Sequence, residues 1–225
     1  MEYKDRERLL KHSSMFFSIL FLLNAFCVNE SVLINEAYGQ EDNERVRQLI
    51  EALKDPSEYV RGEAAFALGA IGPVAAPAVP QLIEPLKDPS ENVRREAPYV
   101  LRNIGPAAAP AVPQLIEALK EDPSVSIRSA AAEALGNIGS AEAVAPLITA
   151  LGDSSEYVRE RAIEALGSIG PAPIPQLIAA LRGGREEGGI FGAAAEALAA
   201  IGPEAVPPLI EALKDPSVDV RMGAA

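Results

Sequence analysis

Apolar positions recur along this chain in three registered sets. Val60, Val93, Ile127, Val158, Ile190 and Val220 stand 33, 34, 31, 32 and 30 residues apart. Leu49, Leu82, Leu115, Leu147, Leu177 and Leu209 run in step with them. Ile71, Ile104, Ile138, Ile169 and Ile201 do the same, each followed by glycine. Registered markers over five or six copies define an array of repeats. Within the copy at 55–87, Val60, Ala64, Ala67, Leu68 and Ile71 follow helical spacing. The D-P-S-E start predicts Asp55 as N-cap, Pro56 at the first helical position and Glu58 at the third, completing a capping box. Gly72-Pro73 predicts a stop, with Gly72 in a left-handed C-cap. A second helix follows over roughly 77–87, with Val79, Leu82, Ile83 and Leu86 as its stripe.

Neither stripe can be buried within one copy. Stacking of neighbouring copies buries both, and the many alanines favour helix and close helix approach. The expected fold is an all-α solenoid of stacked antiparallel helix pairs, with about five to six repeats over residues 40–225 and the last repeat incomplete. Residues 40–54 read as a half-repeat cap. Pro85 and Pro98 each stand where other copies carry alanine, and a proline inside a helix removes a hydrogen bond; together they predict a local kink. In the fifth copy R-G-G-R-E-E-G-G-I-F-G replaces D-P-S-x-x-V-R, which predicts a flexible loop over 183–189 and a helix resuming near Ile190. Phe191 then occupies an arginine column. The chain ends at Ala225 in the middle of a first helix, so further units are expected beyond it.

The recurring D-P-S-x-x-V-R, A-A-x-A-L-G-x-I-G and A-V-P-x-L-I-x-A-L-K segments resemble the short bacterial HEAT-like repeat, also called the PBS-lyase HEAT-like repeat. The resemblance covers residues from about 42 to the end. It implies a right-handed solenoid and a structural ladder between units from Asp55, Arg61, Asp88, Arg94, Asp122, Arg128, Asp153, Arg159, Asp215 and Arg221. It is specific for fold and weak for function, because the family hosts unrelated activities.

Residues 1–39 lie outside the repeat. A charged start is followed by an apolar run at 15–28, shorter than the 20 or so residues of a membrane span. Ala37-Tyr38-Gly39 offers small residues before Gln40, so 1–39 reads as a cleaved signal peptide and the protein as exported, periplasmic or secreted. The alternative is a membrane anchor formed by residues 15–28. With the leader cleaved, no membrane insertion is expected.

Charge and chemistry narrow the function. The formal net charge of −12 disfavours nucleic acid, whose phosphates need clustered Lys and Arg. A protein partner with a basic patch is the better electrostatic match. The one histidine, His12, and the one cysteine, Cys27, both lie in the leader. The repeat therefore lacks the usual zinc ligands and the Ser-His and Cys-His nucleophile systems. The His-Glu pairs of the HEAT-like deoxyhypusine hydroxylases are missing too. No catalytic, cofactor or metal residues are expected. The candidate site is a polar column on the second helices, expected to line the concave face: Gln48, Glu51, Gln81, Glu84, Gln114, Glu117, Gln176 and Glu211. The expectation is a non-enzymatic, exported, protein-binding scaffold. The alternatives are a chaperone or attachment factor like the phycobilin lyases, which the resemblance implies, and a structural segment of a larger envelope repeat protein.

Overall fold

The computed structural model describes residues 42–183 and 190–225. The leader, its cleavage site and nearly all of the glycine-rich loop lie outside the described residues. The chain divides into two units, Met1–Arg45 and Val46–Ala225. Of the first, the described residues 42–45 are helical. The second unit holds the array.

Helix α1 covers residues 42–52. Five helix pairs follow: α2 (Glu58–Ile71) with α3 (Val79–Leu82), α4 (Glu91–Ile104) with α5 (Val112–Glu121), α6 (Val125–Ile138) with α7 (Val144–Ala150), α8 (Glu156–Ile169) with α9 (Ile174–Ala180), and α10 (Phe191–Ile201) with α11 (Val206–Ala212). A last first helix is α12 (Val218–Ala224). No strand occurs among the described residues. Each first helix packs on the next first helix, and α5, α7, α9 and α11 pack on α6, α8, α10 and α12. This nearest-neighbour pattern is an α-solenoid. Its core is built from columns. Leu68, Leu101, Leu135 and Leu166 are fully buried on the first helices, as are Leu82, Leu115, Leu147 and Leu177 on the second. Each such leucine contributes about 1.5–3 kcal/mol by leaving water.

Three local expectations are corrected. First, Asp55 is not the N-cap. The helix begins at Glu58 after an extended Ser57, and Asp55 Oδ1 instead accepts from the Ser57 amide at 2.8 Å. The Asp55 carboxylate takes the amide two residues on, an Asx turn ahead of the helix, and Asp153-Ser154-Ser155 forms the same turn without a proline. Glu58 is therefore the first helical residue, and the capping box does not form. Second, the second helix of the first pair is not continuous over 77–87. It runs as 3-10 turns over Gly72–Ala78, a single α-turn, then 3-10 turns over Glu84–Lys87. Pro85 lacks the N–H that an α-helix needs there; with Ala118 in the same column, α5 runs unbroken. Pro98 behaves differently: α4 continues through it, and its ring is buried. Third, the helix-stop glycines share a positive φ but not one conformation. Gly139 is left-handed α at φ 72°, ψ 22°. Gly72, Gly105, Gly170 and Gly202 have ψ between −136° and −143°. The sequence explains the split: those four precede proline, which disfavours helical ψ, whereas Gly139 precedes serine.

Close approach of first helices rests on one further glycine. A Cβ on Gly136 would lie 2.6 Å from the Ala165 Cα and 2.7 Å from its Cβ. On Gly62, in α2, a Cβ would meet nothing within 4 Å. Gly136→Ala is expected to lower stability by about 1–3 kcal/mol through overpacking. Gly62→Ala is expected to raise it by about 0.5–1 kcal/mol through helix propensity. Urea unfolding followed by circular dichroism checks both signs.

Candidate functional site

The geometry of the junctions between units follows from the Asx turn. The turn leaves the Asp55 and Pro56 carbonyls outside the helical ladder. Side chains on a helix lean toward its N-terminus, so Arg61, one turn into α2, reaches back to them. Its Nη1 donates to the Asp55 oxygen at 2.9 Å and the Pro56 oxygen at 3.1 Å. The other edge of the guanidinium donates to Asp88 of the next unit, Nε to Oδ2 at 2.7 Å and Nη2 to Oδ1 at 2.9 Å. Asp88 Oδ1 also accepts from the Ser90 amide. Arg94 pairs likewise with Asp122 at 2.8 Å, and Arg128 with Asp153 at 2.9 and 3.0 Å. The two-bond contacts of Arg61 and Arg128 are planar forks that lysine cannot reproduce.

The register changes at the fifth unit. Arg159 keeps its bonds to the Asp153 and Ser154 carbonyls. Phe191, in the arginine column, is buried. Asp215 would have taken the arginine that Phe191 replaces, and Arg182, at the end of the preceding second helix, donates to it at 2.7 Å instead. The sequence reading missed this substitution, because Arg182 stands outside the repeating motif.

The second-helix column is brought together in part. Gln48 and Glu51 lie exposed on α1, Gln176 on α9 and Glu211 on α11. Glu51 pairs with Lys54 and Glu211 with Lys214, at 2.9 and 3.0 Å, each within its own turn. Gln114 and Glu117 line a cleft of about 190 Å³ together with Lys87 of the preceding unit, Glu121 and Asp122. Lys87 donates to Glu117 at 2.6 Å. That bond, with Glu84 and Glu121 nearby, holds the Lys87 ammonium above its ordinary pKa. The Oε1 atoms of Gln81 and Gln114 are buried and accept no hydrogen bond among the described residues. The cleft therefore offers amide and carboxylate oxygens around two cations, Lys87 and Arg94, the second of which is paired with Asp122.

A second cleft lies on the first helices. It measures about 270 Å³ and runs between α2 and α4, lined by Tyr59, Gly62, Phe66, Glu58, Glu63 and Arg95 among others. Tyr59 is 73% exposed and Phe66 55%. The sequence carried a signal for it that the column reading passed over. Phe66 and Tyr99 occupy the position that Glu133, Glu164 and Glu196 hold in later units. No cluster of three or more potential metal ligands occurs among the described residues.

Comparison with known proteins follows the same lines. A family model described as HEAT repeats matches residues 46–112 and 112–189, and the PBS lyase HEAT-like repeat matches 191–215. No curated protein matches the chain. Among solved structures, the complex of CpcE and CpcF of phycocyanin lyase from Nostoc sp. is 27% identical with a TM-score of 0.54, over 80% of this chain and 74% of that one. An engineered protein is 24% identical with a TM-score of 0.52, over 80% of this chain and 95% of the other. A designed armadillo repeat protein in complex with the peptide (KR)4 is 23% identical with a TM-score of 0.52, over 79% and 95%.

The inter-unit carboxylates set an acid limit on stability. Hydrogen bonding to Arg61 holds Asp88 below the usual carboxylate value, Arg128 does the same for Asp153, and the Ser217 amide followed by Arg182 does so for Asp215. A carboxylate depressed on folding contributes stability that is fully present above its unfolded pKa of about 3.9 and is lost as pH falls through the lower folded value. Stability is expected to hold near pH 6 and to fall steeply below about pH 4. Asp153→Asn should be less stable at neutral pH and should lose less on acidification, as read from urea midpoints at successive pH values.

Proposed function

The chain belongs to the HEAT-repeat family, and from that premise we propose that it is a non-enzymatic, exported scaffold that binds another protein through its second-helix face. The observation that carries this reading is the junction cleft where Gln114, Glu117 and Glu121 surround Lys87. Its lining carries three carboxylates, Glu117, Glu121 and Asp122, against Lys87 and Arg94, which pair with Glu117 and Asp122, so the surface retains the Glu121 carboxylate in excess. It suits the basic patch of a protein partner. The two glutamine oxygens without donors add acceptors that a partner's N–H groups would satisfy after a side-chain rotation. Export is supported by the leader pattern at 15–39, and a repeat sequence without histidine or cysteine fits a binding role.

The likeness to the CpcE and CpcF complex favours a second reading, attachment or chaperoning of a bilin chromophore. In that case the same cleft face would take up a tetrapyrrole.

Both readings are separated by one set of samples. The full chain and a Gln81→Lys, Glu84→Lys, Gln114→Lys, Glu117→Lys variant are used to capture protein from the organism's own envelope extract. The scaffold reading expects the native chain to retain a partner that the variant loses. Equal capture by both would count against this surface. A bilin titration followed by absorbance is expected to give no red shift; a saturable shift would favour the chromophore reading instead.

A further inference from the structure

The cleft between α2 and α4 is separate from the second-helix face and is not explained by it. Its floor is Gly62, over which a side chain would find open space. Two aromatic side chains, Tyr59 and Phe66, border it on α2, with most of each exposed to water. Large apolar side chains placed this way lose the hydrophobic contribution they could make, unless something covers them. The repeat shows that the fold does not require the pair, since later units carry glutamate in the Phe66 column at Glu133, Glu164 and Glu196, and the Tyr59 column holds Asn92 and Ser126 as well as Tyr157.

The polar lining indicates what covers them. Glu58, Glu63 and Glu96 bring three carboxylates to the cleft, against the single guanidinium of Arg95. Arg95 is engaged with Asn92 at 3.0 Å and lies 3.8 Å from Glu96. Glu58 and Glu63 have no ion pair among the described residues. Aromatic faces attract cations, and adjoining carboxylates strengthen that attraction. One turn further along the same surface the chain satisfies this preference internally: the Arg102 guanidinium carbon sits 4.6 Å from the centre of the Tyr99 ring and its Nη1 donates to Glu133 at 2.6 Å. At Tyr59 and Phe66 rings and carboxylates are present, and among the described residues no guanidinium, that of Arg95 included, lies over either ring.

We infer that the α2–α4 cleft is a docking site for an arginine-containing basic segment of a partner protein, one guanidinium lying between the Tyr59 and Phe66 rings with Glu58 and Glu63 as its counter-charges. The volume of about 270 Å³ accepts one such side chain and leaves the neighbouring residues of the segment on the surface of α4. This site is independent of the second-helix face, so the partner contacts are separable by mutation.

The test is the fluorescence anisotropy of a dye-labelled peptide, three arginines spaced by glycines, titrated with the full chain. A peptide with citrulline for arginine controls for charge. Three variants accompany it: Tyr59→Ser with Phe66→Ala, Glu58→Gln with Glu63→Gln, and Gln114→Lys with Glu117→Lys. All six positions are exposed or half-buried, and circular dichroism verifies folding. The arginine peptide is expected to bind and the citrulline peptide not. The first two variants should weaken binding about tenfold or more, and the third, on the other acidic face, should weaken it less than either. The inference is overturned if the arginine peptide does not bind the native chain, if citrulline binds equally, or if only the second-helix variant weakens binding. In that last case the second-helix reading survives and the cleft does not.

Discussion

One guanidinium, bonded on one edge to its own unit and on the other to the next, sets the spacing of this solenoid. Apolar columns supply most of the energy, but they are smooth: leucine and alanine faces tolerate sliding and rotation. An arginine fork that must satisfy two carbonyls and one carboxylate does not. Arg61, Arg94 and Arg128 each tie the start of one first helix to the start of the next. A cation near a helix N-terminus is unfavourable by itself, and the neighbour's aspartate reverses that cost. The pair is partly buried, with side-chain exposures of 15% and 10% for Arg61 and Asp88, so it lies between the weak surface pair and the costly buried one.

The fifth unit shows that the constraint is the contact and not the motif. There the Asp-Pro-Ser turn and the arginine are replaced, Phe191 packs into the core, and Arg182 reaches Asp215 from another helix. The Asp215 carboxylate thus keeps a cation although the column is broken. Close backbone approach is handled with similar economy: Gly136 admits Ala165 against α6, whereas Arg102, in the equivalent column, turns outward over Tyr99.

Fold was legible in the sequence because the buried columns recur, and recurrence reports packing directly. Leu82, Leu115, Leu147 and Leu177 were recognisable as core before any geometry was known. The local chemistry of the turns was less legible. Asp at this position reads equally as an N-cap or as an Asx turn; the extended serine two residues on decides it, with or without the intervening proline. Likewise all five stop glycines look alike until the residue after each is considered. The functional surface was least legible. A column of glutamine and glutamate marks a solvated helix face whether or not it binds anything. The Tyr59 and Phe66 cleft depends on Phe66 standing where later units carry glutamate, a departure that a search for regularity passes over.

The central claim is that the arginine and aspartate of successive units interact across the junction strongly enough to fix its geometry. The most direct measurement is a double-mutant cycle on Arg94 and Asp122, with the two alanine variants and their combination unfolded in urea at neutral pH. The carbonyl and amide bonds that each residue also makes cancel in the cycle, leaving the cross-junction term. The account predicts a coupling of about 1.5–3 kcal/mol, the range for hydrogen bonds to charged groups. A coupling below about 0.5 kcal/mol, as for an exposed ion pair, would contradict it and would leave the apolar columns alone to set the stack.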